Sequence, residues 1–99
     1  METTKTFVKE EIIFRQGERS KYAYIIESGK VGIYKESNFG KRSLVGTLRK
    51  SDLFGEMGLI DNKVRTATAI ALEDTQVSVI SKKTFDYLLK HDPIALRPL

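Results

Sequence analysis

The chain contains no cysteine, no tryptophan, two prolines and one histidine in 99 residues. Without cysteine there is no disulfide framework, no thiolate zinc or iron–sulfur site and no cysteine nucleophile. With His91 as its single histidine, the chain cannot build a metal site on two or three imidazoles, and a Ser-His-Asp triad has only His91 to draw on. His91 lies in Lys90-His91-Asp92-Pro93, near the end of an expected helix, where a cationic or hydrogen-bonded role at the C-terminus is the plain reading. No apolar run approaches the roughly 20 residues of a membrane span. Met1 to Lys5 carry no apolar signal-peptide core, so a cytoplasmic chain is expected. Charge of one sign is also scarce: 17 basic side chains face 13 acidic ones, net +4, in basic runs no longer than Lys41-Arg42 or Lys82-Lys83. A nucleic-acid binder of this size carries a denser stripe. Direct nucleic acid binding is therefore not expected, and the balance suits a small anionic ligand at least as well as a polymer.

What remains is ordinary globular composition, 40% hydrophobic and 30% charged. The length predicts a single domain, 1–99, with enough buried surface for one core but not for two. Turn sequences recur at Gln16-Gly17-Glu18, Ser28-Gly29-Lys30, Ser37-Asn38-Phe39-Gly40 and Lys50-Ser51-Asp52. Before, between and after them lie short β-branched and aromatic segments over 11–15, 22–27, 31–36, 44–49, 66–72 and 76–80. In 31–36 the alternation puts Val31, Ile33 and Lys35 on one face. Such spacing predicts a mainly β fold, an antiparallel sandwich or barrel-like roll, and argues against a parallel βαβ sheet. Helix is expected late, over 82–90, capped by Ser81 and carrying Phe85, Leu88 and Leu89 on one face. A second, short helix is expected over 56–60. Almost nothing is expected ahead of the strand at 11.

Chemistry concentrates in Asp52-Leu53-Phe54-Gly55-Glu56-Met57-Gly58-Leu59-Ile60 and, after Asp61-Asn62-Lys63-Val64, in Arg65-Thr66-Ala67-Thr68-Ala69. Gly55 and Gly58 flank a helical turn and let backbone approach a ligand closely. Free N–H groups at such a turn, with Arg65 folded back over them, would hold a phosphate. A carboxylate at Glu56 would repel that phosphate unless it accepts hydrogen bonds from ligand hydroxyls, and a sugar phosphate satisfies both residues. The plainer alternatives are a solvated arginine and a glutamate serving a helix dipole.

These segments resemble the cyclic-nucleotide-binding domain family of bacterial transcription regulators, cyclic-nucleotide-dependent kinases and gated channels. Ile13-Phe14-Arg15-Gln16-Gly17-Glu18 is similar to the family's first strand and turn, and Tyr24-Ile25-Ile26-Glu27-Ser28-Gly29-Lys30-Val31 to its hairpin. Phe54-Gly55-Glu56-Met57-Gly58-Leu59-Ile60 and Arg65-Thr66-Ala67-Thr68-Ala69 resemble its phosphate-binding cassette. The resemblance implies an antiparallel, jelly-roll-like β-roll (a double-stranded β-helix) with a short cassette helix, a C-terminal helix and the nucleotide, cAMP or cGMP, inside. It implies that Arg65 pairs with the cyclic phosphate and Glu56 accepts from the ribose 2′-hydroxyl. Backbone N–H groups of Gly55, Met57, Gly58 and Thr66 would complete the cradle. Ile33, Val45, Gly46 and Leu48 would face ribose and base, with plain core packing as the alternative for Ile33 and Leu48. In the family, threonine after the arginine touches guanine in members that prefer cGMP, while alanine or serine accompanies cAMP. Thr66 is compatible with either, and the rest of the cassette leans towards cAMP.

Three departures carry expectations of their own. Ser51 stands where the family has glycine, which predicts a strained or altered turn. Val64 replaces a common proline, which loosens the loop before Arg65. The family's helix ahead of the roll and long helix after it are largely missing from these 99 residues. Apolar surface is therefore expected around Phe85 and Leu88, with homodimerisation or membership of a larger regulator as its outlet. The resemblance implies a non-catalytic sensor with no cofactor and no metal. The alternative is an interaction module that keeps the fold and has lost the ligand. A cupin-like metalloenzyme or a haem or iron–sulfur sensor lacks its ligands here.

Overall fold

Alternation along one strand sends its side chains to two different clusters. The computed structural model describes residues 3–61 and 63–92. In β3 (Tyr22–Ser28), Tyr24 and Ile26 enter a core between two sheets, while Ala23 and Ile25 pack on the opposite face. Around β3 run β1 (Thr3–Phe7), β2 (Ile12–Phe14), β4 (Val31–Glu36), β5 (Arg42–Leu48), β6 (Leu53–Phe54), α1 (Met57–Asp61), β7 (Thr68–Ala71), β8 (Thr75–Ser81) and α2 (Lys82–His91). The strands form two four-stranded antiparallel sheets, ordered β1-β8-β3-β6 and β2-β7-β4-β5. The mainly β roll with a short and a C-terminal helix is thus the architecture of this chain.

The expectation of a single core needs correction. Phe7, Tyr24, Ile26, Val31, Phe54, Ala69, Ala71 and Val77 form the cluster between the sheets. A smaller one, Ala23, Leu59, Ile80 and Phe85, lies between α1, α2 and the outer face of the first sheet. One sheet with apolar side chains on both faces supports both clusters, the smaller as a satellite of the larger. Phe85 is 1% exposed, so the apolar surface expected there does not exist; on α2, Tyr87 and Leu89 are exposed instead. Ser81 caps α2 by accepting from the Thr84 N–H. His91 ends the helix with its ring 4.3 Å from that of Tyr87, one turn back. Pro93, which follows in the sequence, lies outside the described residues.

Strand β1 was not expected. Its sequence is polar and only Phe7 is buried, yet it pairs along its whole length with β8, from Thr3 opposite Val79 to Phe7 opposite Thr75. The other late surprise is a bulge. Ile33 pairs with Gly46 and Tyr34 with Leu44, which leaves Val45 as the extra residue of β5.

Of the strained or altered turn expected at Ser51, the strain is present. Ser51 has φ +76°, and its N–H donates to the Ile26 carbonyl while the Ile26 N–H donates to that of Asp52. A non-glycine residue in the left-handed region costs about 1 kcal/mol or slightly more. Ser51→Gly removes that cost against a smaller unfolded-state penalty. Its expected effect is a stabilisation of roughly 0.5 kcal/mol, a rise of a few degrees in Tm in a domain of this size. A thermal melt of the variant at or below wild type would refute the assignment of strain.

Candidate functional site

Arg65 follows a loop and precedes β7, and its side chain turns inward. It is 6% exposed. Its Nη1 donates to the Gly55 carbonyl at 2.5 Å and its Nη2 to the Tyr22 carbonyl at 2.7 Å. The guanidinium lies over the Phe14 ring, 4.0 Å from its centroid, with the Tyr24 ring 5.9 Å away. Tyr24 stacks on both Phe14 and Phe54, which are tilted to each other, with all three centroids 5.2–6.0 Å apart, so the cation sits on an aromatic floor. Burial pushes the Arg65 pKa below its ordinary value, opposed by Tyr24, Glu18 and Glu56. Burial likewise raises the Tyr24 phenol, opposed by the Arg65 charge. A guanidinium has five N–H donors. Among the described residues its Nε–H has no acceptor.

The backbone of Arg65 is held as firmly. Its carbonyl accepts from the Gly17 N–H at 2.8 Å and its own N–H donates to the Glu18 carbonyl at 2.7 Å. Gly17 has φ +90°, a conformation that glycine adopts without cost. The turn after β2 therefore brackets Arg65 across the chain.

Above this floor opens a cavity of about 330 Å³, at the lower end of the roughly 300–1,000 Å³ typical of small-molecule sites. Phe14, Ile33, Leu48, Leu53 and Phe54 form its apolar wall, and Gly55 to Gly58 and Lys63 to Ala67 its polar side. Gly55 has φ +76°, and a Cβ there would come within 2.9 Å of Arg65 Nη1. Gly58 is buried against Ser20, whose Oγ would lie on top of any added Cβ. Close packing thus explains both glycines before any ligand is invoked.

Of the residues singled out in the sequence, Gly55, Glu56, Met57, Gly58, Arg65, Thr66, Ile33 and Leu48 line one cavity. Val45 and Gly46 do not. Val45 is the bulged residue of β5 and is 58% exposed, and Gly46 pairs with Ile33 outside the lining. The short helix starts at Met57 because Glu56 stands before it, its carbonyl accepting from the Leu59 and Ile60 N–H groups. Glu56 is half-buried on the cavity wall. Lining residues that carried no ligand role in the sequence reading, although most stand within or beside its cassette segments, are Phe14, Leu53, Phe54, Lys63, Val64 and Ala67. The aromatic ones read as core because they are also core, and the only mark of their second role is proximity to the glycine-flanked turn. No helix among the described residues is long and apolar enough to cross a membrane.

Comparison with known proteins agrees with this arrangement. The profile of the cyclic nucleotide-binding domain matches residues 4–92. The cyclic AMP receptor protein of Thermus thermophilus is 32% identical over 87 residues, 88% of this chain and 40% of that protein. The cAMP-dependent protein kinase regulatory subunit of Candida albicans is 36% identical over 87 residues, again 88% of this chain but 18% of that one. The chain therefore spans less than half of these relatives. Among solved structures, the EAL enzyme Bd1971 in its cAMP-bound form superposes with a TM-score of 0.82 at 33% identity, over 95% of this chain and 26% of that one. Its cGMP-bound form gives the same TM-score and identity, over 95% and 25%. The matched span takes in both sheets, the Gly55–Gly58 turn and Arg65, and on it this chain belongs to the cyclic nucleotide-binding domain family.

Proposed function

We propose that the chain binds a cyclic nucleotide, cAMP or cGMP, and acts as the sensing part of a larger regulator. The observation that carries this reading is the Arg65 guanidinium: buried on the cavity wall, desolvated, and with its Nε–H unpaired. A buried cation with a spare donor calls for an anion. In this reading Arg65 meets the cyclic phosphate. Gly55, Met57, Gly58 and Thr66 let the phosphate approach the backbone, and Glu56 accepts from the ribose 2′-hydroxyl. Ile33 and Leu48, with Phe54, cover the apolar faces of sugar and base. Relatives whose solved forms hold cAMP or cGMP support the ligand class. The cytoplasm is the compartment in which such a ligand would be met.

Ligand binding is read out through the cassette. Leu59 of α1 packs in one cluster with Phe85 of α2, and Lys82 Nζ donates to the Leu59 carbonyl at 3.1 Å. Movement of α1 on phosphate binding is thereby passed to α2 and to whatever adjoins it, a second copy or the rest of a regulator.

Calorimetric titration with cAMP and cGMP in parallel tests the reading, and saturable binding of either is the expected result. Glu56→Gln is expected to weaken cAMP about tenfold, because a neutral amide accepts a hydroxyl less strongly than a carboxylate. The same substitution should leave 2′-deoxy-cAMP nearly unchanged. Equal losses for both ligands would remove Glu56 from the ribose. Absence of heat and of thermal shift with either nucleotide would favour the ligand-free interaction module.

A further inference from the structure

We propose that Lys35 is a positioning residue for the anion side of this cavity, acting through the Thr66 carbonyl; the proposal rests on the reading of the site as an anion-binding one. Lys35 is on β4, two residues beyond Ile33 and on the same face, and Ile33 lines the cavity. Its Nζ donates to the Thr66 carbonyl at 2.6 Å. Thr66 follows Arg65 directly and itself lines the cavity with Ala67. A flexible ammonium held in one short bond costs side-chain entropy, so the contact marks a fixed relation between β4 and the arm that carries Arg65.

The neighbouring bonds make that relation rigid. The Glu36 N–H donates to Gln16 Oε1 at 3.0 Å, Gln16 Nε2 returns to the Glu36 carbonyl at 3.4 Å, and the Gln16 N–H donates to Thr68 Oγ1 at 2.9 Å. The end of β4, the turn after β2 and the start of β7 are thus one unit, and the stem of Lys35 starts from a fixed point. In a planar trans peptide the C=O and the following N–H point to opposite sides, and no peptide among the described residues is cis. Gly17 holds the Arg65 carbonyl and Lys35 holds that of Thr66. The two bonds together set the planes of the Arg65–Thr66 and Thr66–Ala67 peptides, and with them the directions of the Thr66 and Ala67 N–H groups. One of the two holders is main chain. The other is a side chain, and it can be replaced without touching the core.

The test uses Lys35→Met, which keeps the apolar stem, and Lys35→Arg, which keeps a charged donor. Each is titrated with cAMP, cGMP and the neutral nucleosides adenosine and guanosine, at low and at high salt. Lys35→Met is expected to weaken both cyclic nucleotides about three- to tenfold, to leave the nucleosides unchanged, and to show the same loss at both salt concentrations. Lys35→Arg is expected to restore affinity to within about twofold. In the ligand-free protein, the Thr66 carbonyl ¹³C shift should move in Lys35→Met and not in Lys35→Arg. Unchanged affinity, an equal loss for the nucleosides, or a loss that disappears at high salt would each overturn the proposal, the last because it marks plain charge attraction. Wild-type protein that binds neither nucleotide would overturn the underlying reading of the site. The carbonyl shift would then decide by itself whether Lys35 holds Thr66, an unmoved shift overturning that too.

Discussion

Arg65→Ala is expected to weaken cyclic nucleotide binding by about 100- to 1,000-fold, roughly 3–4 kcal/mol, the usual loss when one partner of a buried charged hydrogen-bonded pair is truncated. The magnitude follows from burial: at 6% exposure the guanidinium meets an anion with little screening by solvent. The same deletion leaves the Gly55 and Tyr22 carbonyls without their donors, so a loss of fold must be separated from a loss of ligand contact. Arg65→Lys separates them. It keeps the charge but presents a compact ammonium where the arginine spans two carbonyls and an aromatic floor. Its expected loss is tenfold or more in a protein with an unaltered circular dichroism spectrum. Equal affinity of wild type and Arg65→Lys would take the phosphate away from the guanidinium fork.

The largest expected effect on stability belongs to Phe85→Ala. Phe85 is 1% exposed and is the one aromatic ring of the cluster that joins α2 to the first sheet. Removing such a ring costs about 3–5 kcal/mol in transfer energy and residual cavity, a large part of the roughly 5–15 kcal/mol that holds a small domain together. Urea unfolding should show a midpoint shifted far to lower denaturant. Leu59 loses a neighbour in the same step, so the melting transition should also respond less to nucleotide. A midpoint within experimental error of wild type would mean that α2 is held by something other than this cluster.

How far the sequence reveals this molecule differs from element to element. The hairpin strands β3 and β4 announce themselves, because β-branched and aromatic residues alternate between two turns with glycine. The helix α2 does so through Ser81 and the spacing of Phe85 and Leu88. Strand β1 is silent. In Thr3–Phe7 a single side chain, that of Phe7, enters the core, and backbone pairing with β8 supplies the rest. No hydrophobic period exists there to be read. Val45 misleads in the opposite direction. It is apolar and stands in a strand, but the bulge that expels it depends on how β4 and β5 pair, which is a property of two segments together. The site shows the same division. Gly55, Glu56, Gly58 and Arg65 are legible because glycines and unlike charges at short spacing are unusual. Phe14, Tyr24 and Phe54 are not, because an aromatic floor beneath a cation has the same pattern as any core. That the Arg65 main chain is bracketed by Gly17 and Glu18 is a contact across nearly fifty residues, beyond any local pattern.

The pairing of β1 with β8 has a consequence for how the molecule comes into being. Thr3 lies opposite Val79 and Phe7 opposite Thr75, so the first sheet cannot close until almost the whole chain is available. Loop closure over such separations precedes any reward from the contacts it permits, and topologies of this kind fold on the millisecond-to-second scale where helical bundles need microseconds. On a ribosome, the turn around Gly17 would wait for Arg65, and β1 would wait longer still with its edge unpaired. The pocket, lined from Phe14 to Ala67, has all its residues before β8 emerges, so closure of the first sheet, and not of the pocket, is the step that comes last.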